Sequence, residues 1–267
     1  MQIKGSTILI TGASSGIGAA CAAAAARAGA RVVLLARTQP ALEQLATQIH
    51  ATGGSAYAYP VDLTDAAAVD ATVARILAEL GPPDIVISNA GSGRWLFVEE
   101  TSATEAAELI AMPYLAAFYL TRALLPAMLQ RRRGYFLFVN SPAALVAWPG
   151  ATGYTAARWA LRGFAEALRA DLHSTGLRVA TAIPGKVSSS YFTNNPGTEA
   201  RAPGLARLLP TLTPEQAAAR MLRAIARNEQ LVVFPPALKL LYLIHRFAPG
   251  PVRWLAVATG TRRPKAW

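Results

Sequence analysis

At 267 residues, 53% hydrophobic and 15% charged, the chain has the length and apolar content for one domain with a substantial buried core, which excludes intrinsic disorder. Its 26 Lys+Arg against 15 Asp+Glu give a formal charge of +11, but the basic residues are dispersed, apart from Arg131-Arg132-Arg133 and the tail Arg262-Arg263-Pro264-Lys265, and no aromatic interleaving makes nucleic acid an expected partner. The single cysteine, Cys21, rules out an internal disulfide; with no secretory-signal pattern at the start and no uninterrupted apolar run of the ~18 residues a membrane span needs, a cytoplasmic protein is expected.

Residues 7–10 are a short β-branched run that predicts a strand. Thr11-Gly12-Ala13-Ser14-Ser15-Gly16-Ile17-Gly18 follows it and opens an alanine-rich helix over 16–28. Strand, glycine-rich turn and helix in this order suit the phosphates of a dinucleotide. The glycines let the backbone approach the pyrophosphate, and the helix N-terminus supplies oriented N–H donors. A bare glycine triplet is a weak signal, but a second strand at 32–35 follows at βαβ distance.

Further apolar runs predict strands at 56–59, 85–88, 136–140, 179–183 and 231–234. The stretches between them predict helices at 40–52, 66–80, 101–131, 154–174 and 214–227. Continuous apolar strands alternating with helices imply an α/β fold, a seven-stranded parallel sheet with helices on both faces. Such sheets bind ligands beyond the carboxyl ends of their strands, which puts 12–18, 89–93, Ser141 and 184–190 on one rim. Two segments break the alternation. Residues 186–213, rich in Pro, Gly, Ser and Asn, read as a substrate lid. Residues 235–260 read as two short amphipathic helices broken by Pro249-Gly250-Pro251. This apolar extension is expected to pack on the core or on another subunit, with peripheral membrane contact as the alternative. No linker divides residues 1–267, so one domain is expected. His50, His173 and His245 lack metal-ligand spacing, and no metal is expected.

With these motifs placed, the chain resembles the short-chain dehydrogenase/reductase family from residue 7 to about residue 234. Thr11-Gly12-x-x-x-Gly16-x-Gly18 is similar to the family's cofactor turn. Asp62 matches the acidic residue that meets the adenine, and Asn89-Ala90-Gly91 matches the Asn-Ala-Gly at the end of the fourth strand. Pro184-Gly185-x-Val187-x-Ser189 is similar to the nicotinamide-side turn. Ser141 lies thirteen residues before Tyr154, the family's spacing for its catalytic serine and tyrosine. The resemblance implies a Rossmann-type doubly wound fold and a homodimer or homotetramer built through long helices such as 154–174. It implies cofactor contacts from Gly12, Ser14, Ser15, Gly16, Ile17, Gly18, Arg37, Asp62, Leu63, Asn89, Ala90, Gly91, Tyr154, Arg158, Pro184, Gly185, Val187 and Ser189. Two positions depart from the pattern. The family's catalytic lysine, four residues after the tyrosine, is Arg158 here, and its catalytic asparagine in the long central helix is Pro113.

Ser141 and Tyr154 can converge on a substrate carbonyl. A tyrosine hydroxyl, with an ordinary pKa of ~10, needs a neighbouring cation to favour its anion. Residues i and i+4 share a helix face, so Arg158 is expected beside Tyr154, supplying charge and holding the nicotinamide ribose. Arginine does not release protons readily and is a poor relay. Pro113 frees the carbonyl of Leu109 and kinks the helix, keeping a backbone carbonyl but losing the amide side chain. Ala36 and then Arg37 stand where NAD-preferring relatives carry an acidic residue. A guanidinium there pairs with a 2′-phosphate, so NADP(H) is the expected cofactor. Trp95, Phe97, Trp148, Tyr191 and Phe192 on rim loops suggest an apolar pocket. The resulting expectation is an NADP(H)-dependent oxidoreductase interconverting a lipophilic ketone and secondary alcohol through Ser141, Tyr154 and Arg158. The alternatives are a catalytically impaired cofactor-binding sensor or scaffold, and a non-redox reaction on the same fold.

Overall fold

The computed structural model describes residues 1–263, which leaves Pro264 and Lys265 of the basic tail outside the described residues. Its strands are β1 (Thr7–Thr11), β2 (Arg31–Ala36), β3 (Ser55–Pro60), β4 (Ile85–Ser88), β5 (Gly134–Val139), β6 (Leu177–Pro184) and β7 (Leu231–Phe234). Its helices, in chain order, are α1 (Gly16–Arg27), α2 (Gln39–Ala51), α3 (Ala66–Leu80), α4 (Ala103–Ile110), α5 (Ala116–Gln130), α6 (Thr152–Asp171), α7 (Tyr191–Asn194), α8 (Pro214–Ala226), α9 (Pro236–Phe247) and α10 (Pro249–Ala258).

The strands form one seven-stranded parallel sheet in the order β3-β2-β1-β4-β5-β6-β7. β1, β4 and β5 are buried at every residue, which explains why their sequences run apolar without alternation. Strand residues divide by parity between two cores. Ile8, Ile10, Val32 and Leu34 meet Cys21 and Ala22 of α1, Leu42 of α2 and Met221 of α8. Leu9, Val33 and Val86 meet Val73 and Ile76 of α3, Leu120 of α5 and Leu161 of α6. Cys21 is a packing residue: burial pushes its thiol up to about 12.

The chain winds outward from β1 to β3, then crosses to β4 on the other side of β1. Such a reversal opens a crevice at the carboxyl ends of the two diverging strands. The register Ile10↔Ile87, Ile87↔Leu137, Leu137↔Ala180 carries the tips of β1, β4, β5 and β6 to the same edge.

The expected helix over 101–131 is not continuous. α4 ends at Ile110, a π-helical turn spans Ala111–Leu115, and α5 resumes at Ala116. Met112 has non-helical angles, φ −122 and ψ 104, because the ring of Pro113 drives the preceding residue out of the α region. Residues 103–130 have the length and hydropathy of a membrane span, but Leu120, Leu124 and Met128 pack here into the core beneath the sheet. The lid region contains α7 and two 3₁₀ turns, and its ends are tied together. Ser188 N–H donates to Leu212 O and Leu212 N–H to Lys186 O, both at 2.9 Å. The extension does form two helices, α9 and α10, broken at Pro249.

α1 meets the end of β1 without room for a side chain. A Cβ on Gly18 would lie 2.1 Å from the carbonyl oxygen of Gly12. Gly18→Ala gains about 1 kcal/mol of helix propensity. It loses more to overpacking, about 3 kcal/mol. Chemical denaturation should therefore show a net loss of stability.

Candidate active site

A cleft of about 1810 Å³ lies over the carboxyl edge of the sheet. Its floor is the turn after β1. Gly12 has φ +64 and Gly16 φ +56, the left-handed region that glycine adopts without strain. A Cβ on Gly12 would approach Ala90 Cα to 3.0 Å, and one on Gly16 would approach Ser189 Cβ to 3.2 Å. Thr11 laces this turn to the one after β4: its Oγ1 accepts the N–H groups of Asn89 and Ala90, each at 2.9 Å. Asn89 Nδ2 donates back to Thr11 O at 3.1 Å. Ser15 caps α1 without a side-chain hydrogen bond, and the first turn carries no acidic residue. The free N–H groups of that turn and its positive dipole end suit an anion.

At the adenosine end, Arg37 and Asp62 line the same cleft. Asp62 is held below the usual carboxylate range, chiefly by the backbone N–H and hydroxyl of Thr64 and in smaller part by Arg37. Arg37 is exposed and makes no ion pair among the described residues. Ser14, Ser15, Ile17, Leu63, Gly91, Pro184, Gly185, Val187 and Ser189 also line the cleft. Gly18 does not; it packs beneath the turn, and its contribution is the close approach of α1 to β1.

Ser141, Tyr154 and Arg158 meet in the middle of the cleft. Ser141 caps the short turn Pro142–Ala144, its Oγ accepting Ala143 N–H at 3.3 Å, which leaves its own proton to donate. Tyr154 and Arg158 stand one turn apart on α6, both buried. The Arg158 guanidinium carbon lies 4.9 Å from the Tyr154 ring centroid, a cation–π contact. One of its N–H groups donates to Val139 O at 3.4 Å. A Cβ on Gly91 would lie 2.8 Å from another guanidinium nitrogen. Arg158 Nε is buried without a partner, and no carboxylate pairs with this cation among the described residues. Such a donor set, next to the glycine turns, fits the hydroxyls and phosphates of a dinucleotide.

Pro113 stands away from this group. Ala111 and Met112 line the cleft and Pro113 does not, and its carbonyl shares the Ala116 N–H with the carbonyl of Ala111 in the π turn. The expected kink is present. Asn140, which sequence reasoning missed, anchors the trio. Its Nδ2 donates to Arg158 O at 3.1 Å, and its Oδ1 accepts Ser141 N–H at 2.9 Å. An asparagine closing a strand just before a candidate serine was the signal available.

The substrate side is aromatic. Trp95 packs edge-on against Trp148 at 5.1 Å and lies 5.7 Å from Tyr154, while Tyr191 and Phe192 close from the lid. Phe97 does not reach the cleft; it is buried, with the guanidinium groups of Arg201 and Arg263 about 5.3 and 5.2 Å from its ring centre. The lid is fastened through the hydroxyl of Tyr191 and through Asn195, which the sequence did not single out. Tyr191 donates to Gly93 O at 2.7 Å, and Asn195 Oδ1 accepts Gly93 N–H at 3.0 Å. Burial, reinforced by Tyr154, holds the Tyr191 phenol well above its ordinary value, so it stays a donor. Leu238, Leu241 and Tyr242 of α9 complete the apolar wall.

Known proteins resemble this chain in sequence and in fold. Residues 6–200 match the family model for short chain dehydrogenase. A "dehydrogenase/reductase SDR family protein 7-like" protein of Drosophila melanogaster is 30% identical over 261 residues, 95% of this chain and 80% of its own length. A metagenomic short-chain oxidoreductase solved in complex with NADP is 29% identical, with a TM-score of 0.74 over 88% of this chain and 99% of that one. A short chain dehydrogenase/reductase from Burkholderia phymatum, solved with NAD, is 22% identical and shares the fold, with a TM-score of 0.83 over 99% of both chains.

Asn140→Leu leaves the Ser141 N–H buried without its partner and strips Arg158 O, which keeps its bond within α6, of a second donor. The expected cost is about 2 kcal/mol, measured as a lowered midpoint in urea unfolding.

Proposed function

The chain belongs to the short-chain dehydrogenase family, and from that premise we propose that it is an NADP(H)-dependent oxidoreductase acting on a lipophilic ketone or the corresponding secondary alcohol. One observation carries the proposal: Ser141, Tyr154 and Arg158 share a buried centre continuous with the glycine turns and walled by aromatic side chains. The nicotinamide cofactor, when bound, would supply the hydride as NADPH in reduction and accept it as NADP+ in oxidation. The Ser141 hydroxyl donates a hydrogen bond to the substrate oxygen. Tyr154 gives its phenolic proton to that oxygen in reduction and takes it back in oxidation. Arg158 places a fixed positive charge against the phenol ring, where it stabilises the charge left on Tyr154. Its free donors also suit the ribose hydroxyls.

Arg37 supports the preference for the 2′-phosphate. It is an exposed cation at the tip of β2 with no carboxylate partner among the described residues, and α2 begins two residues later. The NADP bound to the metagenomic oxidoreductase is consistent with this choice. The aromatic wall supports an apolar substrate, and the buried, unpartnered Trp148 Nε1 suits one with a hydrogen-bond acceptor. Exposed Phe118 on α5 and Trp159 on α6 support self-association through those helices.

A second reading rests on a specific observation. Arg158 is a poor proton relay, and Pro113 brings no amide side chain to the central helix. A protein that binds the cofactor and turns over slowly or not at all, as a sensor or scaffold, fits the same site.

NADPH oxidation with a panel of apolar ketones tests the choice. The enzyme reading expects turnover that Tyr154→Phe lowers at least ~10²-fold while NADPH binding persists. Tight NADPH binding with no turnover on any ketone supports the sensor. Arg37→Asp should reverse the NADPH-over-NADH affinity ratio, a change of about 10²-fold for one charge-assisted contact exchanged for repulsion.

A further inference from the structure

The outer surface of α9 and α10 is unlike the rest of the molecule. Leu240, Leu243, Ile244 and Phe247 follow i, i+3, i+4, i+7 along α9 and form one outward stripe, with Phe247 83% exposed. Trp254, 70% exposed, and Val257 extend the apolar surface on α10. The inward faces are already occupied: Leu238, Val252 and Ala256 are buried, and all three line the cleft. Each helix is therefore apolar on two sides, and the outer side has no cover among the described residues.

Charge identifies the cover. From residue 231 to residue 267 the sequence has no aspartate or glutamate. Lys239 and Arg246 are exposed on α9 and fall on one flank of its stripe, about a quarter turn from its centre at 3.6 residues per turn. Arg253 is exposed on α10 and borders Trp254 on the same kind of flank. We propose that this face docks on an anionic lipid bilayer, with the stripe in the acyl boundary and Lys239, Arg246 and Arg253 among the headgroups. A second copy fits poorly: a two-fold contact would set these cations against themselves, with no acid in the segment to pair with them. The helices that would dock also wall the cleft, so docking sets the cleft against the phase in which a lipophilic substrate dissolves. That last link rests on the proposed function; the docking does not.

The test uses the full chain, co-sedimented with phosphatidylcholine vesicles with and without phosphatidylserine. Phe247→Glu/Trp254→Glu removes the two most exposed anchors, and Arg246→Glu/Arg253→Glu reverses the flank; all four side chains face solvent, and circular dichroism checks the fold. The proposal expects pelleting with phosphatidylserine vesicles, weaker pelleting without it, and a loss of partition of about tenfold for each apolar anchor removed. The charge variant should lose the preference for the anionic vesicles. The proposal fails if the unaltered chain stays in the supernatant with phosphatidylserine vesicles, or if both variants bind as it does. It also fails if the chain self-associates and the first variant makes it monomeric with no lipid binding in either form. Turnover is not part of the readout, so failure here leaves the enzymatic reading standing, and the reverse also holds.

Discussion

A buried guanidinium that no carboxylate answers among the described residues organises the centre of this molecule. Placing a cation in a low-dielectric interior is costly unless other groups replace its water. For Arg158 those groups are the face of the Tyr154 ring, the carbonyl of Val139 and a space against Gly91 that any side chain at that position would fill. An ammonium at the same helix position would be a compact point charge. The planar fork instead stacks on the phenol and keeps donors in reserve, Nε among them. Arg158 cannot be read as an incidental surface arginine: the carboxamide of Asn140 holds its backbone, and its head lies against Tyr154 of its own helix, the end of β5 and the turn after β4.

The sheet supplies the precision this arrangement needs. Parallel pairing in register delivers four strand ends to one edge, and the centre of the cleft hangs from them. β1 leads to the glycine turn, β4 to Asn89 through Gly93, β5 to Asn140 and Ser141, and β6 to Pro184 and the lid. The loops are then laced by short polar contacts, Thr11 to Asn89 and Ala90, Asn195 and Tyr191 to Gly93. A lid tied at both ends and fastened by a buried asparagine closes over an aromatic wall. Dinucleotide-sized and apolar regions therefore form one continuous space.

Much of this was legible in the residues. All seven strands could be placed because buried parallel strands are uninterrupted apolar runs, and the glycine turn, Ser141 and Tyr154 stand at spacings that few other arrangements share. The break in the central helix was half legible. Pro113 marked its place, but the π turn and the extended Met112 follow from a steric clash that acts on the residue before the proline. Phe97 was misplaced because composition identifies an aromatic residue without giving its direction. Asn140 and Asn195 escaped notice because a buried carboxamide is defined by partners distant in sequence. The extension shows the same limit most sharply. Its helices are apolar on both sides, and periodicity alone could not say that Leu238 faces in while Leu240, Leu243 and Phe247 face out.

Single-turnover reduction of an apolar ketone by the Arg158→Met and Arg158→Lys variants, at saturating NADPH and with circular dichroism and cofactor fluorescence as checks on folding and binding, examines the guanidinium directly. Loss of the charge in Arg158→Met should slow the chemical step by about 10²-fold or more, while Arg158→Lys, which keeps a cation beside the phenol, should retain most of the rate or exceed it. A folded, NADPH-binding Arg158→Met variant that reduces the ketone as fast as the unaltered chain would contradict the role assigned to Arg158.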